Sequence, residues 1–521
     1  MIRNYTHLVV GQIPQYYGNK ATTKDQVAVQ CDDGFSITWA QLNERSNQLT
    51  QMLKSKGLTR GDKVATFLKN CGQFIEAVYG CAKLGAGVVP ISFRFIDKEV
   101  KYAIENSDSK AIFVHKSLLD VLEAALAGND AFAKENIIVI DDEDPSGYDA
   151  LMDKFPSTDF ELDVDENDLF WMSFTGGTTG YPKACQVTNR IKMTYFNLMA
   201  MEFGNRPTDK MLLSGALNYG LSFMHSLQQL YLGGSIYIMR NFEEKELLRL
   251  VQEERITVLP MVPTMYSTVV NCPEKSNYDT SSINCLICTG APLAVELKKQ
   301  IVAFFNNAVF TEFYGTTECG MFTSLKLRNG DSFEKASSIG TPCFCAEICL
   351  MDDNGNPVKQ GEVGEFHKRG PLLSMGYYKN PEETAKMFRG TWASVGDLGY
   401  QDEDGYYYMV GRSKDMIISG GVNIYPAEIE NVITNIPGVD QVAVIGIPHE
   451  KWGEVTMAYI CLNKGACLSE EEVMTACSEN LSRYKLPKEI RFIEEMPKST
   501  AGKILKRELK EAYLEKKMNG Q

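Results

Sequence analysis

Apolar residues recur in two rhythms, short near-continuous runs and longer stretches at helical spacing, and the two alternate over most of the chain. Thr38 with Gln41 makes a capping box before a helix carrying Leu42, Leu49 and Leu53, which Gly57 closes. Lys63–Leu68 then reads as a strand, a helix near Phe74–Leu84 ends at Gly85, and Val88–Ile91 and Ala111–Val114 read as further strands. A second unit runs from Met211–Leu213 through an apolar helix at Leu221–Leu232 to Ile236–Met239. Val258–Val262 and Leu286–Cys288 look like buried strands. Strands alternating with helices predict α/β layers. Past residue 340 short strands and turns dominate, and a compact tail follows. The tail has a helix near Pro426–Ile436, a strand Val442–Ile447, a helix capped by Ser469 with Glu472, a strand Ile490–Ile493 and a basic helix from Lys503. A boundary near Gly411–Lys414 divides a large N-terminal domain, 1–412, from a small C-terminal domain, 413–521.

Composition narrows the function classes. With 44% hydrophobic and 23% charged residues, the chain is neither disordered nor collagen-like. Its 53 basic against 67 acidic residues give a net charge of −14, which argues against a nucleic-acid binder working by phosphate neutralisation. No apolar run is long enough to cross a bilayer, and the N-terminus lacks the pattern of a secretory signal, so a cytoplasmic chain without a membrane anchor is expected. Fourteen cysteines, mostly inside apolar runs, read as reduced core residues. Cys285 with Cys288, and the Cys343, Cys345, Cys349 group, have no second ligand pair at zinc-site spacing.

The sharpest local signal is Ser173–Lys183 (SFTGGTTGYPK), a loop leaving an apolar strand. Gly176, Gly177 and Gly180 let backbone N–H groups turn toward one point. Thr175, Thr178 and Thr179 add hydroxyls, and Lys183 adds a cation. That is an anion cradle of the kind polyphosphates need. No Gly-Lys-Ser/Thr occurs, so it is not a Walker A loop. Three further segments stand out: Tyr314-Gly-Thr-Thr-Glu318; Gly396-Asp397 followed by Gly411–Asp415 and Ile418–Glu428; and Pro497–Ile504 around Lys503. Each alone reads as a turn or solvated charge.

Together, in this order, the four segments resemble the adenylate-forming superfamily of acyl-CoA synthetases, adenylation domains and firefly luciferase, closest in pattern to the acyl-CoA synthetases. Leu84–Pro90, Val262–Tyr266, Gly290–Pro292 and Gly376–Pro381 support the resemblance, which covers essentially the whole chain. It implies a large N-terminal domain of layered α/β sheets, a small mobile α+β C-terminal domain, and ATP-dependent activation of a carboxylic acid followed by thioester formation with coenzyme A. By this resemblance the 175–183 loop holds the β- and γ-phosphates, Glu318 and Thr178 hold Mg²⁺, and Thr317 contacts the α-phosphate. Tyr314 and the Gly290-Ala291-Pro292 backbone sandwich the adenine, and Gly315 is a further ATP-binding residue. Asp397 takes the ribose hydroxyls, Arg412 lies near ribose and phosphate, and Lys503 bridges the attacking carboxylate and the α-phosphate. Lys414 stands at the hinge, and Ser419, Gly420, Gly421 and Trp452 flank a channel for the CoA arm.

The chain departs from the family pattern at Gly176, Ala184, Asn189, Val395 and Tyr219. The acyl pocket is expected among Tyr219, Phe223, Val262 and Phe313, with no Lys, Arg or His aimed at it, which favours a fatty or other apolar acid. The competing readings are an aryl-acid CoA ligase, a stand-alone enzyme loading a carrier protein, and a catalytically silent nucleotide-binding protein. Expected partners are the small-molecule acid and CoA, with no nucleic acid; a homodimer is the oligomer considered.

Overall fold

The computed structural model describes residues 9–129, 132–141, 143–175, 182–420, 422–498 and 504–518. Within them the alternation of runs builds two mainly parallel sheets. One has six strands in the order Ile137–Ile140, Ser109–His115, Lys63–Phe67, Gly87–Pro90, Leu169–Thr175 and Lys183–Thr188. Its neighbours are parallel except the last pair. The other has nine strands. Its parallel centre runs Val27–Cys31, Ser235–Ile238, Lys210–Leu213, Val258–Met261, Cys285–Cys288 and Val309–Thr316, with antiparallel strands at both edges. Strands with apolar residues on both faces suit a sheet covered on both sides.

The helix Trp39–Ser55 starts at the capping box, where Gln41 Oε1 accepts from the Thr38 N–H at 2.9 Å and Thr38 Oγ1 accepts from the Gln41 N–H at 3.3 Å. It packs on Gly72–Leu84, which is buried along its whole length and correspondingly apolar on most sides. Gly80 makes the approach possible: a Cβ there would lie 2.3 Å from Leu49 Cδ2. One apolar cluster joins these helices to strands of both sheets, through Val64, Val88, Phe170, Met211 and Ile236.

A third sheet carries Glu347–Met351, Gly364–Arg369, Asp397–Gln401 and Tyr407–Arg412. The short turn Ser413–Asp415 leads from it to the last sheet, built on Val439–His449 and Gly453–Leu462. Helices Pro426–Thr434 and Glu470–Asn480 cover one face of that sheet, and Leu509 and Tyr513 of Lys506–Met518 cover the other. The architecture is thus a large α/β part followed by a small α+β part.

Boundaries moved in the tail. The last helix begins at Lys506, because Ile504 bridges Lys498 and the Leu505 N–H donates to the Pro497 carbonyl at 2.8 Å, holding the backbone extended there. All fourteen cysteines are free, with Cys345 and Cys467 exposed. Among the described residues no helix is long and apolar enough to cross a membrane.

Candidate active site

The phosphate-loop motif is the connection of a hairpin. Strands Leu169–Thr175 and Lys183–Thr188 pair antiparallel, and Thr175 stands opposite Lys183. Gly176, Gly177, Thr178, Thr179 and Gly180 lie outside the described residues, as do Gly421 and Lys503. At the end of the loop the Lys183 ammonium pairs with Glu383 and lies 5.1 Å over the Tyr377 ring. Glu383 also holds Lys386, and these two cations, Lys183 first, keep its carboxyl below the ordinary range. Sequence reasoning missed Glu383. The available signal was Asn380-Pro381, an N-cap followed by proline that starts the helix Pro381–Met387.

Tyr377 reaches the site because its segment is laid along the second hairpin strand. The Gln186 N–H donates to the Gly376 carbonyl at 3.0 Å, and the Tyr378 N–H to the Ala184 carbonyl at 2.8 Å. Gly376 has φ +93°, and a Cβ there would lie 2.3 Å from Thr384 Cγ2, so only glycine suits the turn. The Tyr377 hydroxyl donates to Glu318 Oε1 at 3.0 Å. Burial, then the charge of Glu318, pushes that phenol far above its ordinary pKa, so it remains a donor. Cys185, in the same hairpin, places its Sγ 3.7 Å from the Thr317 carbonyl. Lys183, Tyr377 and Glu318 thus form one line.

Glu318 is buried, 7% exposed. Among the described residues no group of three His, Cys, Asp or Glu side chains could hold a metal ion. One carboxylate with only one oxygen hydrogen-bonded is still the ligand set Mg²⁺ uses when the rest of its shell is water and substrate phosphate, so Glu318 fits that ion.

The second half of the site lies on the third sheet. Asp397, 4% exposed, faces Arg412 across the Asp397–Gln401 and Tyr407–Arg412 ladder. Arg412 Nε donates to Asp397 Oδ1 at 2.9 Å, and the Tyr314 hydroxyl donates to Oδ2 at 2.6 Å. The Tyr314 ring packs on Phe322 and Phe366 at 5.0 and 5.5 Å. Its hydroxyl is therefore committed to Asp397, a link the sequence reading did not include. Gly315 sits where a Cβ would lie 2.8 Å from the Gly320 carbonyl oxygen. Gly290, Ala291 and Pro292 are exposed, and Gly290, at φ +100°, faces Val262 Cγ1. Lys414 is exposed on the turn that follows Arg412; partial desolvation first, then the Arg412 charge, lowers its pKa. It lies within electrostatic reach of both halves.

Around the expected acyl pocket, Phe223 stacks on Trp171 at 5.4 Å and 16°. Phe313 lies 5.5 Å from Phe203 and 6.1 Å from His225. The Tyr219 hydroxyl bonds Ser92 Oγ at 2.9 Å. Two buried basic side chains lie beside these residues. Lys192 Nζ lies 4.0 Å over the Trp171 ring, and His225 adjoins Phe313. Neither is visible as a pocket residue without knowing which helix faces meet.

In the small part, Ser419 pairs with Gly453, and the Gly420 N–H donates to the Trp452 carbonyl at 2.8 Å. Gly420 has φ +59°, and a Cβ would lie 2.6 Å from Trp452 Cε3. Trp452 is 44% exposed.

Known proteins share this sequence pattern and fold. The family profile of AMP-binding enzymes matches residues 18–378, and that of the AMP-binding enzyme C-terminal domain matches residues 428–503. A 2-succinylbenzoate–CoA ligase of Oceanobacillus iheyensis is 31% identical over 487 residues, covering 93% of this chain and 96% of its own. A long-chain-fatty-acid–CoA ligase of Mycobacterium tuberculosis is 33% identical over 492 residues, covering 94% and 95%. The crystal structure of ATP-bound MatB from Rhodopseudomonas palustris superposes with a TM-score of 0.88 at 26% identity, covering 97% of this chain and 99% of that one. The chain belongs to the AMP-binding enzyme family, among its ATP-dependent acid–CoA ligases.

Proposed function

We propose that this chain activates an acid with an apolar or aromatic body by AMP transfer and passes the acyl group to CoA. In the first step a carboxylate oxygen attacks the α-phosphorus of ATP, the bridging P–O bond breaks and pyrophosphate leaves. In the second the CoA sulfur attacks the acyl carbonyl, the bond to the AMP oxygen breaks and AMP leaves. Both steps need placement and charge neutralisation more than covalent help.

The roles are those the family resemblance implies, and the contacts of Lys183, Glu318, Asp397 and Arg412 support them. The loop from Thr175 to Lys183, with Gly176, Gly177, Thr178, Thr179 and Gly180, takes the β- and γ-phosphates, and Lys183 exchanges Glu383 for phosphate oxygen. Glu318 and Thr178 would hold Mg²⁺, which supplies neutralisation of phosphate charge. Thr317 contacts the α-phosphate, Asp397 and Arg412 the ribose, and Tyr314, Gly315 and the Gly290–Pro292 backbone flank the base. Lys503 stabilises charge developing at the α-phosphate. Lys414 is the pivot between residues 1–412 and 413–521, and a rotation there exchanges Lys503 for the Ser419-Gly420-Gly421 segment and Trp452 along the CoA arm. The observation that carries the reading is that one short turn joins the two clusters: Tyr314 bonds Asp397, which Arg412 holds, and Glu318, four residues on, bonds Tyr377 beside Lys183.

The acyl slot expected beside Phe223 and Phe313 has Trp171 stacked on Phe223, which supports the apolar or aromatic body. The test is acid-dependent ATP–pyrophosphate exchange over a panel of fatty and aromatic acids, followed by CoA-dependent AMP release. Lys503→Ala is expected to lose exchange yet still convert supplied acyl-AMP and CoA to thioester. Equal loss of both half-reactions would overturn the two-pose assignment, and no exchange with any acid would overturn the activity.

A further inference from the structure

Among the described residues four lysines are buried, Lys83, Lys192, Lys298 and Lys368, each 2% exposed or less. Three have oxygen partners. Lys83 donates to the Asn43 carbonyl at 3.1 Å and to the side-chain oxygens of Asn43 and Asn47, both at 2.6 Å. Lys298 pairs with Glu312. Lys368 donates to the carbonyls of Cys319, at 2.7 Å, and Met321. Lys192 differs: among the described residues its hydrogen-bond partner is the Met224 thioether at 2.6 Å. Its other neighbours are ring faces, Trp171 at 4.0 Å, Tyr195 at 5.9 Å and Phe223 at 6.0 Å.

A thioether is a weak acceptor, and ring faces offset only about 2 kcal/mol of a buried charge. A buried ammonium without an oxygen partner costs several times that. Burial accordingly holds the Lys192 pKa far below that of a free lysine. A methionine would fill the same space without the cost. Two polar atoms beside the expected acyl slot are also unpaired. Among the described residues Trp171 Nε1 and His225 Nε2 are buried without hydrogen-bond partners. Trp171 stacks on Phe223, and His225 lies against Phe313. The His225 Nδ1–H is spent on the Leu221 carbonyl at 2.8 Å, and burial lowers its pKa to about 4, so a lone pair remains on Nε2. Polar groups this poorly partnered beside Phe223 and Phe313 suit a ligand that brings the partners.

We infer that Lys192 is the counter-charge in the wall of the acyl slot, and that the preferred acid carries a second carboxylate on its apolar body. The distal carboxylate pairs with Lys192 while the reacting one faces the Thr317–Glu318 turn. A carboxylate there favours the protonated amine that burial otherwise disfavours, which a neutral carbonyl does far less. This inference rests on the acid–CoA ligase reading and names the substrate class for it.

The test uses matched acids in the exchange assay, octanoate against octanedioate and phenylbutanoate against its ortho-carboxy derivative. The wild type is expected to favour the diacid of at least one pair by about tenfold or more in kcat/KM, and Lys192→Met to lower that ratio by about tenfold or more. A wild type that favours the monoacids in both pairs, or a ratio unchanged in Lys192→Met, overturns the inference while leaving the ligase reading intact. If no acid is activated, the ligase reading fails. The inference is then decided by thermal shift, where a diacid must raise the wild-type Tm more than its monoacid does, and equal shifts overturn it. Should Lys192→Met fail to fold, the wild-type comparison decides alone.

Discussion

Lys183 enters the site already engaged. Its ammonium is held by Glu383 and capped by the Tyr377 ring, so on the proposed reading phosphate would have to displace a carboxylate to reach it. A partly exposed ion pair is worth about 0.5–1 kcal/mol, a factor of about two to five. Glu383→Gln is therefore expected to lower the KM for ATP by that factor, read from initial rates of pyrophosphate exchange. A rise in KM would mean that Glu383 positions the lysine rather than competes for it. Glu318, Asp397 and Lys183 were legible as residues because each sits in a short motif whose glycines and hydroxyls announce a turn near an anion. Glu383 and Tyr377 were not, since their roles depend on a segment nearly two hundred positions downstream lying along the Lys183 strand. Lys192 was hidden for another reason. It occupies a helix, Asn189–Phe203, whose apolar and polar residues mark no face clearly, so only packing reveals which way the ammonium points.

At the level of elements, legibility followed the strength of local signals. The helix starting at Thr38 and the one starting at Ser469 carry complete capping boxes, and both begin where the sequence indicates. The helix Gly72–Leu84 ends at Gly85, whose φ of +77° terminates it. The final helix starts late, because the extended pairing of residues 504 and 505 with Pro497 and Lys498 leaves no local mark. The turn between Ile417–Ser419 and Val422–Ile424 carries its own prediction. A Cβ on Gly420 would press to 2.6 Å from Trp452, in a left-handed backbone that alanine resists. Gly420→Ala is expected to cost about 1–2 kcal/mol of local stability and to slow thioester formation severalfold while leaving pyrophosphate exchange in place. Assaying the two half-reactions separately checks it, and an equal fall in both would dissociate this turn from the CoA step.

Over the whole molecule, strand positions were readable but strand order was not. Parallel neighbours such as Lys210–Leu213 and Val258–Met261 are joined by long crossovers, and nothing in either run names its partner. The core has a collective electrostatic consequence. Burial raises the pKa of the thiols of Cys31, Cys81, Cys185, Cys285, Cys288, Cys319 and Cys343 above the ordinary 9.0. The unfolded chain releases these protons near pH 9 while the folded chain keeps them, so their contribution is full below pH 9 and is lost as pH rises beyond it. Buried lysines act oppositely: Lys83, lowered to about 7, Lys368, lowered to about 8, and Lys192 favour folding as pH rises toward 10.5. The thiols outnumber them. In reducing buffer the Tm is expected to fall between about pH 8.5 and about pH 10, and a Tm that rises over that span would show the lysines dominating.

The strand Tyr407–Arg412 ties these scales together. Its last residue grips the buried Asp397, and the chain runs from there straight into the Ser413–Asp415 turn and the small sheet beyond. Between the grip and the second sheet the tether has almost no slack. Gly411, at φ +140° with open space where a side chain would be, is the one soft joint on the near side. On the proposed two-pose reading, a swing of the tail would tug on the guanidinium that steadies Asp397, so the grasp on the nucleoside and the tail's orientation would be mechanically geared, and spent AMP would loosen in step with the stroke that ends each cycle.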